Sequence, residues 1–296
     1  MDLFVPCFLV DEFRRIRTMS QIIVGFTGKM LVLPYRSRSL LKTGLALLTL
    51  LVCSIGTAGA VQAQPSNLTD AIRIRSEVLG YNLQYWVYTP AGYESIEGLP
   101  VLFLSDGAWY LDPGELPELI DKMIKDGEIG PIVAVFLDAR IPENTSLSRR
   151  NAQYFCNPRF IQFYKDEFIP TIEKNYKVQA NRVSRTIVGL SFGGLNSACF
   201  GLYAHDSFEG IAMQSPATHP IRTIHSAYAD SSRLPLNIFL SSGDHDDNED
   251  RTRRFRDILM EKGYPLKYVE VPFAHNWNNW KPLLDDLLVY FYSSTN

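Results

Sequence analysis

The sequence is short of positive charge. Its 29 Lys and Arg stand against 32 Asp and Glu, giving a formal net charge of -3 and a pI of about 6.0. Without a basic excess it has no means of neutralising a phosphate backbone and releasing its counterions, so nucleic acid is not an expected partner. Cysteine is scarce as well, with four in 296 residues. Cys7 and Cys53 lie in the first 63 residues, and the other two, Cys156 and Cys199, make no disulfide framework. In an oxidising compartment these two could pair, but within the apolar stretch Ala198-Cys199-Phe200 Cys199 is expected as a small core residue. There are only five histidines. H-E-x-x-H, C-x-x-C and G-x-x-x-x-G-K-[ST] are all missing, so the sequence calls for no metal and no cofactor. The run Asp244-x-Asp246-x-Asn248-x-Asp250 begins like a calcium loop, but Glu249 stands where glycine is needed and Phe255 where the bidentate Glu belongs. No internal repeat, low-complexity tract or Pro/Gly/Ser linker interrupts residues 71–294.

Long apolar runs are limited to one, Gly44 to Ala60, and its surroundings give it a meaning. Arg36, Arg38 and Lys42 precede it, and Val61-Gln62-Ala63 follows with small residues at the two positions a signal peptidase reads. This is the pattern of a secretory signal peptide cleaved near Ala63, with the mature chain starting at Gln64. Residues 1–63 are then a signal region, in which Met30 is the expected start, and residues 64–296 form the functional chain. Charge divides at the same place, with +4 before residue 64 and -7 after it. The protein is accordingly expected to be exported, periplasmic or secreted, and to meet a membrane only through the signal segment. Val52 before Cys53 does not suit lipoprotein processing.

The rest of the sequence is rich enough in apolar residues (46% overall, 12% aromatic) to bury a large core. Short apolar runs alternate with longer amphipathic ones, which predicts an α/β fold: a mostly parallel central sheet with helices on both faces, in one domain. Strands are expected at 72–76, 84–88, 101–104, 132–137, 185–189, 210–214, 237–241 and 267–271. Helices are expected at 117–126, 159–176, 194–203, 250–262 and 280–292, with Gly263 as a stop signal.

One of these strand-to-helix junctions carries chemistry. Arg185-Thr186-Ile187-Val188 runs into Gly189-Leu190-Ser191-Phe192-Gly193-Gly194, the G-x-S-x-G pattern, and a helical pattern begins at once. Glycines beside the serine let strand and helix approach closely, and the sharp turn holds Ser191 out above the sheet. A serine hydroxyl needs a histidine to take its proton and a carboxylate to orient that histidine. The strand at 237–241 ends in Ser242-Gly243-Asp244-His245-Asp246-Asp247, which offers Asp244, Asp246 and Asp247 as the acid. The strand at 267–271 leads to Pro272-Phe273-Ala274-His275, the one histidine that falls between the last strand and the last helix. The developing oxyanion needs two donors. The backbone N–H of Phe192 is one, and that of Ala108, after the turn Ser105-Asp106-Gly107, is the other.

In order along the chain these motifs resemble the esterase family of α/β-hydrolases that includes enterochelin esterases, feruloyl and acetylxylan esterases, esterase D and the mycolyltransferases. The resemblance covers roughly residues 72–294. It rests on Leu104-Ser105-Asp106-Gly107, Phe168-Ile169-Pro170 with Tyr176, Gly189 to Gly194, Phe208-Glu209-Gly210, Ser215-Pro216, Gly243-x-x-Asp246 and His275-x-Trp277 with Trp280. It implies a Ser191-His275-Asp246 triad working on carboxylic esters through an acyl-enzyme. Arg149-Arg150-Asn151 and Cys156-Asn157-Pro158-Arg159-Phe160 look most like the enterochelin-esterase branch, which implies siderophore-like esters and a substrate contact at Arg150. Trp109 and Trp277, with Tyr110 and Trp280, are placed to flank the pocket. The alternatives are a carbohydrate O-acyl esterase of feruloyl or acetylxylan type and, in a different class, a non-catalytic binding protein on the same fold. The expected partner is a small-molecule or oligosaccharide ester.

Overall fold

The computed structural model describes residues 64–294. The expected signal segment and its cleavage point lie outside the described residues. The described residues open with three strands, β1 (Asn67–Leu68), β2 (Ile72–Arg75) and β3 (Asn82–Thr89), of which β1 and β2 both pair antiparallel with β3. Next come β4 (Val101–Leu104), the short helix α1 (Gly107–Leu111), α2 (Leu116–Lys125) and β5 (Val133–Asp138). A two-stranded hairpin, β6 (Arg140–Ile141) and β7 (Asn144–Ser148), leads into α3 (Arg150–Tyr154) and α4 (Pro158–Phe163). A π-helical turn at Tyr164–Phe168 joins α4 to α5 (Ile169–Asn175). Strand β8 (Arg185–Leu190) and α6 (Phe192–Tyr203) carry the serine turn. They are followed by β9 (Gly210–Gln214), α7 (Ile224–Asp230), β10 (Asn237–Gly243), α8 (Glu249–Glu261), β11 (Leu266–Val271), α9 (Trp277–Trp280) and α10 (Leu284–Tyr292).

The nine-stranded sheet runs β1-β3-β5-β4-β8-β9-β10-β11, with β2 attached to β3. From β5 to β11 every pairing is parallel. A parallel sheet sheathed on both faces needs apolar residues on both, and β4, β5, β8 and β9 are buried along their whole length. Leu104 sits between Phe136 and Val188 in register, so the turns after β4 and β8 end side by side. Two clusters fill the two faces. One is aromatic and centres on Phe103, Tyr164, Phe168, Phe200 and Phe208, whose rings meet edge to face. The other packs α2 and α10 against Leu102, Leu104, Ala134 and Phe136.

The expected strands all form, and the long helix expected at 159–176 is divided by the π turn. The hairpin β6–β7 and the short helices α1, α3 and α7 were not foreseen, since five- or seven-residue segments show too little periodicity to be read. Cys156 and Cys199 are joined in a disulfide, which corrects the expectation of an isolated core cysteine. Cys156 adopts φ 51° in the turn after α3, and this bend brings its sulfur onto α6. Nothing in the 43-residue spacing announces that contact.

Candidate active site

At the end of β8 the chain turns through Ser191 with φ 56° and ψ -118°, a conformation that L-residues seldom adopt. The close crossing that forces it is visible at Gly189: a Cβ there would lie 2.2 Å from the Gly193 carbonyl. Neighbouring strands hold the turn from outside, because Ser191 N–H donates to the Gln214 carbonyl (2.8 Å) and Ala217 N–H donates to the Ser191 carbonyl (3.0 Å). Such a cage over-determines a strained residue and keeps its hydroxyl in place.

The loops after β10 and β11 cross in equally close contact. At Gly243 a Cβ would fall 1.8 Å from the Phe273 carbonyl oxygen, so only glycine lets the loop carrying the acids lie against the loop carrying His275. His275 Nε2 is 2.9 Å from Ser191 Oγ, and its Nδ1 is 2.5 Å from Asp247 Oδ1. A carboxylate only accepts, so Nδ1 carries the ring proton and Nε2 is left to accept from the serine. Burial works to raise the Asp247 pKa, but hydrogen bonds from His275, Ser215 and the Gly243 amide outweigh it and hold the group down at about 2. It therefore stays ionised at any ordinary working pH.

Asp246, the acid implied by the resemblance, does not meet the histidine. Its side chain is exposed and its φ is 49°; what it offers His275 is its backbone carbonyl, which accepts the His275 N–H at 3.1 Å. The left-handed residue turns the chain so that the carboxylate of the next one points inward. Asp247 has no accessible side-chain surface, whereas Asp244 pairs with the exposed His245. Spacing from Gly243 was the only signal for the choice, and a one-residue bend defeats it.

Helix α1 starts beside the serine turn. A Cβ on Gly193 would come within 3.1 Å of Asp106 Oδ2 and 3.4 Å of Ser105 Cβ, and Asn196 on α6 donates to the buried Ser105 hydroxyl at 3.0 Å. The amides of Phe192 and Ala108 both fall in the first turn of a helix, where N–H groups lack intrahelical acceptors.

Arg150 is placed against the same turn. Its Nε lies 2.9 and 2.8 Å from the two carboxylate oxygens of Asp106, and its Nη2 donates to the Leu190 carbonyl at 3.0 Å. Burial raises the Asp106 pKa and the arginine opposes it. The guanidinium also lies 5.1 Å from the Trp109 ring, 5.2 Å from Phe192 and 5.7 Å from Tyr154. Beside it opens a cavity of about 560 Å³, lined by Ala108, Trp109, Arg140, Arg149 and Arg150 among others. Trp109, 41% exposed, stands at its edge. Trp277 does not line it: that ring packs edge-on against Tyr110 and Trp280. Among the described residues no group of three or more His, Cys, Asp or Glu is arranged to hold a metal, and no helix is long and apolar enough to cross a membrane.

A mostly parallel sheet with a strained serine turn between strand and helix, facing a histidine after the last strand, is the architecture of an α/β-hydrolase. The chain belongs to the family described as "Putative esterase", whose model matches residues 76–291, and it is an ester hydrolase. An endo-1,4-beta-xylanase/feruloyl esterase of Xylanibacter ruminicola is 26% identical over 213 residues, which are 68% of this chain and 28% of that protein. The chain thus spans little more than a quarter of that relative. Among solved structures, a ferulic acid esterase superimposes with a TM-score of 0.69 at 23% identity, covering 77% of this chain and 98% of the other. The enterobactin esterase of Shigella flexneri gives 0.69 at 20%, covering 79% and 61%. At these identities the structural likeness speaks to fold.

Proposed function

We propose that the protein is an exported serine esterase in which Ser191, His275 and Asp247 form the triad. His275 takes the Ser191 proton as the oxygen attacks the ester carbonyl, and the imidazolium formed is held by the ionised Asp247. The Phe192 and Ala108 N–H groups receive the oxyanion. Collapse expels the alcohol, protonated by His275, and water then releases the acyl group through the same histidine. The observation that carries this reading is the Ser191–His275–Asp247 chain of contacts at 2.9 and 2.5 Å.

For the substrate we favour a carboxylic ester bearing a phenolic ring, seated between Trp109 and the arginines of the cavity. Enterochelin-like siderophore esters suit the guanidinium groups of Arg140, Arg149 and Arg150 on the cavity wall, of which Arg140 and Arg150 are paired with the lining carboxylates Asp138 and Asp106 and Arg149 lies over the Tyr81 ring. Feruloylated carbohydrate is supported by the 98% coverage of the ferulic acid esterase chain, against 61% of the enterobactin esterase. The assay that separates them incubates the purified protein, beside Ser191→Ala, with a siderophore trilactone and a feruloylated xylo-oligosaccharide together, with products read by mass spectrometry. Serine-dependent opening of the trilactone alone assigns siderophore release, and ferulate alone assigns the carbohydrate role. Failure of a serine-reactive fluorophosphonate to label Ser191 would return the non-catalytic binding protein. Export is supported by the basic, apolar and small-residue order before Gln64 and by the Cys156–Cys199 disulfide, a bond that persists in oxidising compartments. It is tested by N-terminal sequencing of the exported protein, with Gln64 expected first.

A further inference from the structure

Asp247 is held by more than His275. Its Oδ2 accepts from Ser215 Oγ at 2.6 Å, the Gly243 amide at 2.5 Å, Asn279 Nδ2 at 2.9 Å and Ser242 Oγ at 3.2 Å. Among these donors Ser215 is the one whose own proton is directed by other side chains. Its oxygen lies 2.9 Å from Trp280 Nε1 and 3.1 Å from Asn279 Nδ2, both of which can only donate. These two fill the lone pairs of the hydroxyl, and its single proton has one remaining acceptor, Asp247. Ser215 is fully buried just after β9, and its φ of 45° is fixed by Ser215 N–H donating to the Ser241 carbonyl and Asn248 Nδ2 donating to its own carbonyl. Trp280 closes the circuit, since its ring meets the His275 ring edge-on at 4.9 Å.

We infer that Ser215, with its hydroxyl oriented by Trp280 and Asn279, is a positioning residue that fixes the Asp247 carboxylate and, through it, the imidazole of His275 facing Ser191. The inference rests on the triad proposed above. It assigns to the Ser215-Pro216 and Trp280 motifs a shared task, which their separation in sequence conceals. The relay runs in one direction, from the indole N–H through the hydroxyl to the carboxylate. The Gly243 amide, Asn279 and Ser242 still reach Oδ2 if the hydroxyl is removed, but the 2.6 Å contact from Ser215 is lost, and with it the donor whose direction Trp280 and Asn279 set.

The test uses Ser215→Gly in the full-length protein. Glycine adopts a φ of 45° without strain, so the backbone is retained while the hydroxyl is lost. With p-nitrophenyl acetate as substrate, kcat is expected to fall about 10–100-fold at a KM within about threefold of the parent, the size of effect seen when a ligand's supporting partner is removed. The downfield imidazole N–H proton resonance of the Asp247–His275 contact should weaken or move. In an Asp247→Ala background the same substitution should cost less than about threefold, because a residue acting through Asp247 has nothing left to act on. Equal losses in both backgrounds, an unmoved resonance, or a kcat within about threefold of the parent in the folded variant would overturn the assignment. If Ser215→Gly does not fold, Trp280→Phe keeps an aromatic ring beside His275 and removes the N–H together with the second ring of the indole. A kcat loss at unchanged KM is again expected, and full activity again refutes the relay. Ser191→Ala is run alongside: turnover surviving there refutes the triad itself, whereas its loss together with a fully active Ser215→Gly refutes only the role of Ser215.

Discussion

The two sides of Ser191 are built differently. On the histidine side both carboxylate oxygens of Asp247 are engaged, the carboxylate is closed to solvent, and Ser215, Asn279 and Trp280 brace it from within the core. On the arginine side lies an open cavity of about 560 Å³, edged by a tryptophan 41% exposed and walled by the hairpin β6–β7, whose strand β7 is exposed along its length. A buried network with this many contacts on one carboxylate resists a change of geometry. An open rim on a hairpin can change residues without disturbing the sheet. On the function proposed above, the first side serves the reaction and the second serves the substrate.

The largest break in this comparison should come from the choice of acid. Asp247→Asn presents an amide to His275 Nδ1 and favours the wrong tautomer, which costs about 10⁴-fold in kcat in serine triads. Asp246→Asn, at an exposed position of positive φ that asparagine tolerates, should leave kcat within about threefold. Comparable losses in the two variants would mean that the acid loop moves on binding. The same carboxylate links stability to pH. Its folded pKa, about 2, lies below its ordinary value of 3.8, so the stabilisation is complete above pH 4 and is lost as pH falls towards 2. Acid unfolding of Asp247→Asn should therefore be shallower over that window, as followed by circular dichroism.

Arg150 belongs to both sides, and its substitution should show which dominates. It pairs with the buried Asp106 and donates to the Leu190 carbonyl next to Ser191. Removing one partner of a buried pair leaves an uncompensated charge, and Arg150→Ala should destabilise the fold by about 3–5 kcal/mol. Asp106→Asn with Arg150→Met removes both charges and should recover much of that loss in a denaturant titration. If Arg150→Ala unfolds at the parental midpoint, the arginine serves substrate rather than structure. The disulfide comes next in size. Cys156–Cys199 ties the turn after α3, the helix that begins with Arg150, to α6, the helix that follows Ser191. Replacing both cysteines by serine should cost about 2–4 kcal/mol of stability, measurable as a lower urea midpoint.

Much of this was legible in the sequence because parallel strands are continuous apolar runs and the serine turn has a glycine signature. The strands at 101–104 and 210–214 were placed to the residue, and Ser191 and His275 are brought together as expected. Asp247 was not singled out, because three acids within four positions share a composition and only a backbone bend at Asp246 selects among them. Ser215, Asn279 and Trp280 were illegible as a group for a different reason. Their convergence is produced by the order of β9, β10 and the last helices in space, and no local pattern reports it. Trp277, expected to flank the pocket, packs edge-on against Tyr110 and Trp280 and is half-buried.

The smallest expected effect concerns the open side. Trp109 lies 5.1 Å from the Arg150 guanidinium and remains 41% exposed, so it presents a free ring face at the cavity edge. Its loss removes an exposed cation–π contact worth about 0.5–1 kcal/mol and whatever ring stacking a substrate gains there. Trp109→Ala should therefore raise KM for an ester of an aromatic acid, such as methyl ferulate, about 3–10-fold while leaving kcat and the KM for methyl acetate, which has no ring to stack, close to parental values. An equal rise for both esters would make Trp109 a support for Arg150 and not a substrate contact. A fall in kcat without a change in KM would carry the influence of the tryptophan across the turn to Ser191, and the two sides of the site would then be coupled through Arg150 and the Leu190 carbonyl.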